Sequence, residues 1–267
     1  MEGVWMKDYV TVASEAARRA GRILKEQIHG TRTITYKGDI DLVTEMDTRS
    51  ERAVVETLLT VFPDHGIIAE EETSIRNASG FVWIIDPLDG TTNYAHGYPC
   101  FAVSIALERE REVIAGVVYD PMRDELFSAQ RGKGAYLNGE NIKVSVVDTL
   151  KKSLLATGFP YDRKVSTNNN LDYFSDLLMA SQEVRRDGSA ALDLCSVAAG
   201  RFDGFWELKL KPWDVAAGSL IVLEAGGVVS DLSGNRFNMH PDEILASNGR
   251  IHQQMVEVLQ KSAQDKR

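Results

Sequence analysis

Residues 83–93 read Trp-Ile-Ile-Asp-Pro-Leu-Asp-Gly-Thr-Thr-Asn, an apolar run that stops at two carboxylates, a glycine and three small polar side chains. That is the pattern of a metal and phosphate site. Val82 to Ile85 predict a buried strand, and Pro87, with its fixed φ, predicts a turn that lets Asp86 and Asp89 project into one mouth at the strand's end. Gly90 admits close backbone approach to a ligand, and the N–H groups of Gly90, Thr91 and Thr92 would open a helix whose positive end favours an oxyanion. Two hard carboxylates suit an oxygen-seeking dication such as Mg²⁺, which keeps several waters and shares its shell with substrate phosphate. Metal-assisted phosphoryl chemistry is therefore indicated. A lone Asp-x-x-Asp-Gly has a plainer explanation, since aspartate beside Pro or Gly commonly bonds its own backbone in a turn.

The flanking sequence supplies elements to position these groups. Val12/Ala13, Ala16/Ala17, Ala20 and Ile23/Leu24 recur at helical spacing and predict an amphipathic helix over about residues 8–28. Thr48-x-x-Glu51 has the form of a capping box opening a second helix, with Val54/Val55, Leu58/Leu59 and Phe62 as its apolar stripe and Pro63 as its stop. Strands are predicted at 66–69, 81–85, 101–108, 113–120 and 125–129, separated by Pro99, Pro121, Gly132/Gly134 and Asn138-Gly139. From Leu150 onward the pattern gives a strand at 153–158, a helix at 170–182 and a strand at 183–186. A small-residue helix from Gly188-Ser189 to Ala199 follows, then a strand at 202–208, a helix opened by Asp214 and running to Ala225, and a strand after Gly226-Gly227. Consecutive strands in mid-chain point to a mixed or mainly antiparallel sheet rather than strict βαβ alternation.

The chain of 267 residues, 43% hydrophobic, suffices for one large domain or two packed halves divided near residues 149 and 150. Its net charge of −9 argues against direct nucleic-acid binding over a broad surface. Cys100 and Cys195 lack metal-ligand spacing and read as buried free thiols, as expected in a reducing cytoplasm. No apolar run approaches the roughly 20 residues of a membrane-spanning helix, and Met1 to Tyr9 lack the apolar core of a signal peptide. A soluble, intracellular protein of the cytoplasm is expected. The five histidines are scattered and form no ligand pair.

Ile-Asp-Pro-Leu-Asp-Gly-Thr-Thr-Asn-Tyr-Ala-His, residues 85–96, resembles the first signature of the inositol monophosphatase family. Trp213-Asp214-Val215-Ala216-Ala217-Gly218-Ser219-Leu220-Ile221-Val222 resembles the second. The two occur in the family's order, and the likeness covers nearly the whole chain. It implies a mixed α/β fold, a five-layer αβαβα sandwich whose halves act as one catalytic unit, and a homodimer. It also implies two or three Mg²⁺ ions and sensitivity to lithium.

The resemblance assigns roles residue by residue. Glu70 would be a metal ligand, although Ala69 and Glu72 depart from the Gly or Thr before the pair and the Ser after it, which leaves the register within Glu70 to Glu72 open. Asp86 would bind both metals, Leu88 would give its backbone oxygen, and Asp89 and Asp214 would hold the second metal and contact substrate. Asp214 also reads as a helix N-cap, a compatible use of its other oxygen. Thr91 and Glu70 would orient the attacking water, while Asp47, beside Thr44, would hold the waters of a weakly bound ion. Lys37 could neutralise the carboxylates or merely be exposed. Gly90 and Thr91 would meet phosphate, and Gly188, Ser189, Ala190 and Glu207 would meet the ring. Gly and Ser at a helix start need no ligand to explain them, and Glu207 could be an exposed strand residue. Arg185 and Arg186 read equally as phosphate partners and as surface or subunit-interface residues.

The implied reaction is hydrolysis of a phosphate monoester by activated water, without a phosphoenzyme, with myo-inositol monophosphate as substrate. Fructose 1,6-bisphosphate, NADP, a nucleoside 3′-phosphate and histidinol phosphate are alternatives handled by relatives of similar pattern. A regulatory role with a protein partner linked to RNA or transcription is an alternative of another class.

Overall fold

The computed structural model describes residues 8–30, 34–36, 42–77, 79–238 and 243–265. Helix α1 (Tyr9–Gln27) is followed by the antiparallel pair β1 (Ile34–Tyr36) and β2 (Leu42–Thr44), then by α2 (Glu45–Val61). Strands β3 (Gly66–Ala69), β4 (Ser74–Ile75) and β5 (Phe81–Asp89) lead into the short α3 (Thr91–Ala95). Five more strands follow: β6 (Ala102–Arg109), β7 (Glu112–Asp120), β8 (Glu125–Gln130), β9 (Ala135–Leu137) and β10 (Glu140–Ile142). Together β3 to β10 form an eight-stranded sheet ordered β10-β9-β8-β7-β6-β5-β3-β4, antiparallel except where β3 lies parallel to β5.

A five-stranded sheet is built from β11 (Leu154–Thr157), β12 (Glu183–Arg185), β13 (Gly204–Leu208), β14 (Val228–Ser230) and β15 (Glu243–Ser247), in the order β12-β11-β13-β15-β14. The first three are mutually parallel neighbours and the rest pair antiparallel. Helices α4 (Leu171–Ala180), α5 (Ala190–Ala198), α6 (Pro212–Glu224) and α7 (His252–Asp265) complete the chain.

The period-two alternation of strand side chains sorts the core into layers. Trp83 and Ile85 of β5 pack with Val12, Ala16, Leu24, Val54 and Leu58 of α1 and α2, whereas Ile84 between them packs with Val215 and Ile221 of α6. In the second sheet Phe205 and Ala246 face α5 and α6, while Leu155, Trp206 and Leu245 face Leu177 of α4 and Met255 and Leu259 of α7. The order is thus α1/α2, large sheet, α5/α6, small sheet, α4/α7: an αβαβα sandwich. The middle helices fit because their facing residues are small. A Cβ on Gly218 of α6 would lie 2.7 Å from the Leu194 Cβ on α5.

Three sequence expectations require correction. The strand expected to end at Ile85 continues through Asp89, and Pro87 marks a register shift against β6 between Asp86 and Asp89. Proline has no N–H for the ladder, and a bulge accommodates it without ending the strand. Helix α2 begins at Glu45, ahead of the supposed Thr48 cap, because Glu51 bonds elsewhere. Helix α6 begins at Pro212, with Lys211 as N-cap and Asp214 in its first turn, so Asp214 is not the cap residue. Helix α7 and strands β1, β2, β4, β9, β10 and, longest of these, β15 had no counterpart in the sequence reading. Strand β15 is a five-residue run, and α7 shows only Met255, Val256 and Leu259 as buried apolar positions in an otherwise polar stretch.

Candidate active site

A cavity of about 490 Å³ opens where the end of β5 meets the loop after β11, the start of α5 and the segment joining β13 to α6. Glu70, Asp86, Leu88, Asp89, Gly90, Thr91, Gly188, Ser189, Ala190, Glu207 and Asp214 all line it. Residues from five separated segments are therefore gathered into one cleft. Asp47 does not line the cavity. It is 1% exposed, and its Oδ1 accepts a hydrogen bond from Thr91 Oγ1 at 3.1 Å. Lys37 and the side chain of Thr44 lie outside the described residues.

The bulge in β5 does what a turn was expected to do. It carries Asp86 and Asp89 to the same cavity, and the Asp86 carboxylate accepts from the Leu88 N–H at 2.9 Å. Thr91 Oγ1 also lies 3.0 Å from Leu88 O, so the hydroxyl spans the bulge and Asp47. Gly90, at φ 95°, makes the transition into α3, where a side chain would meet the Cys100 carbonyl at 3.0 Å. Asn93 then donates from Nδ2 to Cys100 O at 2.7 Å and to Asp187 O at 2.8 Å, tying the first signature to the turn before α5.

Ser189 caps α5, and its hydroxyl donates to Asp89 Oδ2, which also accepts from the Ala191 N–H at 2.8 Å. The start of this helix is thus engaged by a protein carboxylate. Asp214 accepts from the Lys211 N–H at 2.6 Å. Each of these bonds uses one carboxylate oxygen and leaves the other as a donor for a cation.

Burial, helped at Asp86, Asp214 and Glu207 by neighbouring carboxylates, raises the pKa values across the cluster. Asp86 is pushed well above the usual carboxylate range, first by burial and then by the charges of Glu70, Asp89 and Asp214. Burial lifts Asp89 to about 6 against the bonds from Ser189, Ala191 and Ala190, and lifts Asp214 to about 8 with help from Asp89. Glu207, 8% exposed, is raised to about 8 by burial, opposed by Arg186. The charges acting most on Asp86 are all carboxylates, and like charges crowded in this way call for a cation.

The donor set is hard oxygen throughout, which fits Mg²⁺ rather than a thiophilic metal. Among the described residues no three His, Cys, Asp or Glu side chains are already assembled to hold an ion.

The sequence reading missed several neighbours. Asp193 is 2% exposed and lines the cavity, and its carboxyl is raised by burial and by Asp187, Glu207 and Asp89. Its helical setting in a small-residue run hid it. Phe159, Pro160, Tyr161 and Asp162 form the outer rim, held by Lys209 Nζ bonding Asp162 Oδ2 at 2.7 Å and Ser166 Oγ at 3.0 Å. The arginine pair divides: Arg186 lines the cavity, whereas Arg185 lies 3.9 Å from Glu183 on the surface. Gly158 stands against Glu207, a relation between residues 49 apart that no local pattern signals.

A five-layer sandwich with a carboxylate-lined cleft between its sheets is the architecture of a phosphoric monoester hydrolase, and the comparisons with known proteins place the chain in that class. It belongs to the inositol monophosphatase family, whose profile matches residues 5–264. An inositol-1-monophosphatase of Synechocystis is 44% identical over 97% of this chain and 91% of its own. Nus factor SuhB of Vibrio cholerae is also 44% identical, over 92% and 93%. Among solved structures, an inositol monophosphatase from Anabaena superposes with a TM-score of 0.87 at 44% identity, covering 95% of each chain. Enzymes of this family use metal ions. Among the described residues no helix is long and apolar enough to cross a membrane.

Proposed function

We propose that this phosphatase hydrolyses myo-inositol monophosphate in preference to sugar bisphosphates and NADP, with Mg²⁺ held by Glu70, Asp86, Asp89, Asp214 and the carbonyl of Leu88. The observation that carries the reading is the gathering of those four carboxylates at one cavity, where burial first and then the like charges of Glu70, Asp89 and Asp214 push the pKa of Asp86 well above the usual carboxylate range. When bound, two or three Mg²⁺ ions supply Lewis acidity and positive charge to the phosphate.

The chain's own groups do the rest. Glu70 and the Thr91 hydroxyl orient a water for in-line attack, and Asp47, accepting from Thr91, fixes that hydroxyl. Gly90 and Thr91 line the cavity, where their backbone N–H groups would meet the phosphate. As the water oxygen bonds to phosphorus it gives one proton to the Glu70 carboxylate, the ester P–O bond breaks, and the alkoxide takes a proton from a water near Asp89 and Asp214, whose hydroxide is neutralised by the proton that Glu70 gives back. The products are the free alcohol and inorganic phosphate. Gly188, Ser189 and Ala190 form the wall beside the ring, and Glu207 hydrogen-bonds the ring hydroxyls and, where ionised, repels a second phosphate.

Phosphate release from a panel of monoesters, with and without Mg²⁺ after thorough chelation, tests this. Turnover should vanish without the ion and be highest in kcat/KM on myo-inositol 1-phosphate. Full activity after chelation sinks the metal site, and preference for fructose 1,6-bisphosphate sinks the substrate choice.

A second role is favoured by one observation, the 44% identity to a protein named Nus factor SuhB. A homodimer that also engages a transcription-linked protein is compatible with an intact catalytic set. Co-purification from cells with and without an Asp86→Asn substitution would separate the roles, because partner binding should survive loss of catalysis.

A further inference from the structure

Helix α2 presents three polar side chains on one face at i, i+3 and i+4, all buried: Asp47 at 1%, Ser50 at 0% and Glu51 at 2% exposure. Each reaches a different segment of the cleft. Asp47 accepts from Thr91, and Ser50 Oγ donates to Pro87 O at 2.7 Å, at the bulge between Asp86 and Asp89. Glu51 makes the most contacts. Its carboxylate accepts from the N–H groups of Glu71 at 3.0 Å, Glu72 at 3.1 Å and Thr73 at 2.9 Å, and from Thr73 Oγ1 at 2.7 Å. The chain immediately after Glu70 thus folds its backbone donors around one carboxylate. On the other side, the Glu70 N–H donates to Ile85 O at 3.1 Å.

We propose that Glu51 is a positioning residue: by gripping residues 71–73 it holds Glu70 at the cavity, ready to bind the metal, and so sets metal affinity without touching metal or substrate. The proposal rests on the reading of Glu70 as a metal ligand. A helix-capping role is excluded by position, since α2 starts at Glu45 and Glu51 lies in its second turn. A buried carboxylate is costly unless well bonded, and an ionised one gives the strongest purchase on backbone N–H groups. Partners that orient metal ligands are typically worth about 10- to 100-fold in metal affinity.

The test is Glu51→Gln, whose amide keeps the shape but opposes some of the loop's donors with its own. Mg²⁺ binding by isothermal titration calorimetry should weaken about tenfold or more. The Mg²⁺ concentration for half-maximal activity should rise by the same factor, while kcat at saturating Mg²⁺ stays within about threefold of wild type. Val54→Ala, on the apolar face of the same helix, should lower the melting temperature yet leave Mg²⁺ affinity unchanged. Unaltered affinity in Glu51→Gln, or an equal shift in Val54→Ala, overturns the proposal. If Glu51→Gln does not fold, Thr73→Val, which removes one of the four donors, decides by the presence or absence of a smaller shift in the same direction. Asp86→Asn tests the site itself: wild-type Mg²⁺ binding there would reject the metal reading whatever Glu51→Gln does.

Discussion

Replacing Gly158 by alanine would test the substrate reading by displacing Glu207 without substituting it. A methyl group at Gly158 would lie 2.1 Å from Glu207 Oε1 and 2.4 Å from its Cδ and Oε2. Non-bonded heavy atoms settle at about 3.5 Å, so one side must retreat by about 1 Å or more. The backbone is the firmer partner. Gly158 O accepts from the buried Asn170 Nδ2 at 2.6 Å, and Asn170 also receives the Trp206 Nε1–H at 2.8 Å. The Glu207 carboxylate ends a flexible side chain and should swing away. A displacement of about 1 Å in a positioning group can cost about 100-fold. We therefore expect kcat/KM on myo-inositol 1-phosphate to fall between about 10- and 100-fold. Glycerol 2-phosphate, which lacks the ring, should lose no more than about threefold. Because Gly158 is not in the left-handed region, alanine there adds no backbone strain, and its entropic gain through the unfolded chain offsets part of the cost of moving Glu207, so the melting temperature should hardly move. Parallel kinetics on the two substrates is the assay. Equal losses on both, or an unchanged rate on the inositol phosphate, would refute the role given to Glu207.

Three further outcomes are expected. Glu70→Gln should lose far more activity than Glu71→Gln, because Glu70 lines the cavity whereas Glu71 gives its N–H to Glu51; the reverse order in steady-state rates would move the ligand by one residue. Ser189→Ala should lower stability by about 1 kcal/mol through loss of the α5 cap and should raise the Mg²⁺ requirement by removing a donor to Asp89; thermal unfolding and a Mg²⁺ titration check both, and an unchanged melting temperature would count against the cap. His252, between Ser230 Oγ and Ser247 Oγ at 2.9 Å each, has its pKa lowered by burial, and burial lowers that of His65 too. Below about pH 6.5 the unfolded chain then holds more protons than the folded one, so stability should decline as pH falls through that range. Urea midpoints at pH 7.5 and 5.5 should show a shallower decline in His252→Asn than in wild type, and identical declines would exclude His252 as a source.

Chemistry that is local in sequence was legible before any fold was known. Asp86, Asp89, Gly90 and Thr91 lie within six residues, and their types alone indicate a hard-cation and phosphate site. Apolar periodicity placed α1 and most of the strands, because a half-buried helix or strand imprints its own period on the chain. The resemblance added Asp214, Glu70 and Glu207, and the structure brings all three to the same cavity as Asp86.

Relations across the fold were decided by tertiary structure alone. Thr48-x-x-Glu51 has the spacing of a capping box, yet Glu51 serves the 71–73 loop, since a buried carboxylate takes whichever donors packing brings within reach. Pro87 looked like a strand's end and became a bulge, because pairing with β6 resumes at Asp89. Gly158 against Glu207, Lys209 across to Asp162, and Asp193 at the cavity wall depend on how the second sheet is laid against α5 and α6. Side-chain type and spacing fix what a residue can do. Which partner it meets is set by long-range packing, whose contacts join positions too far apart for any local period to encode.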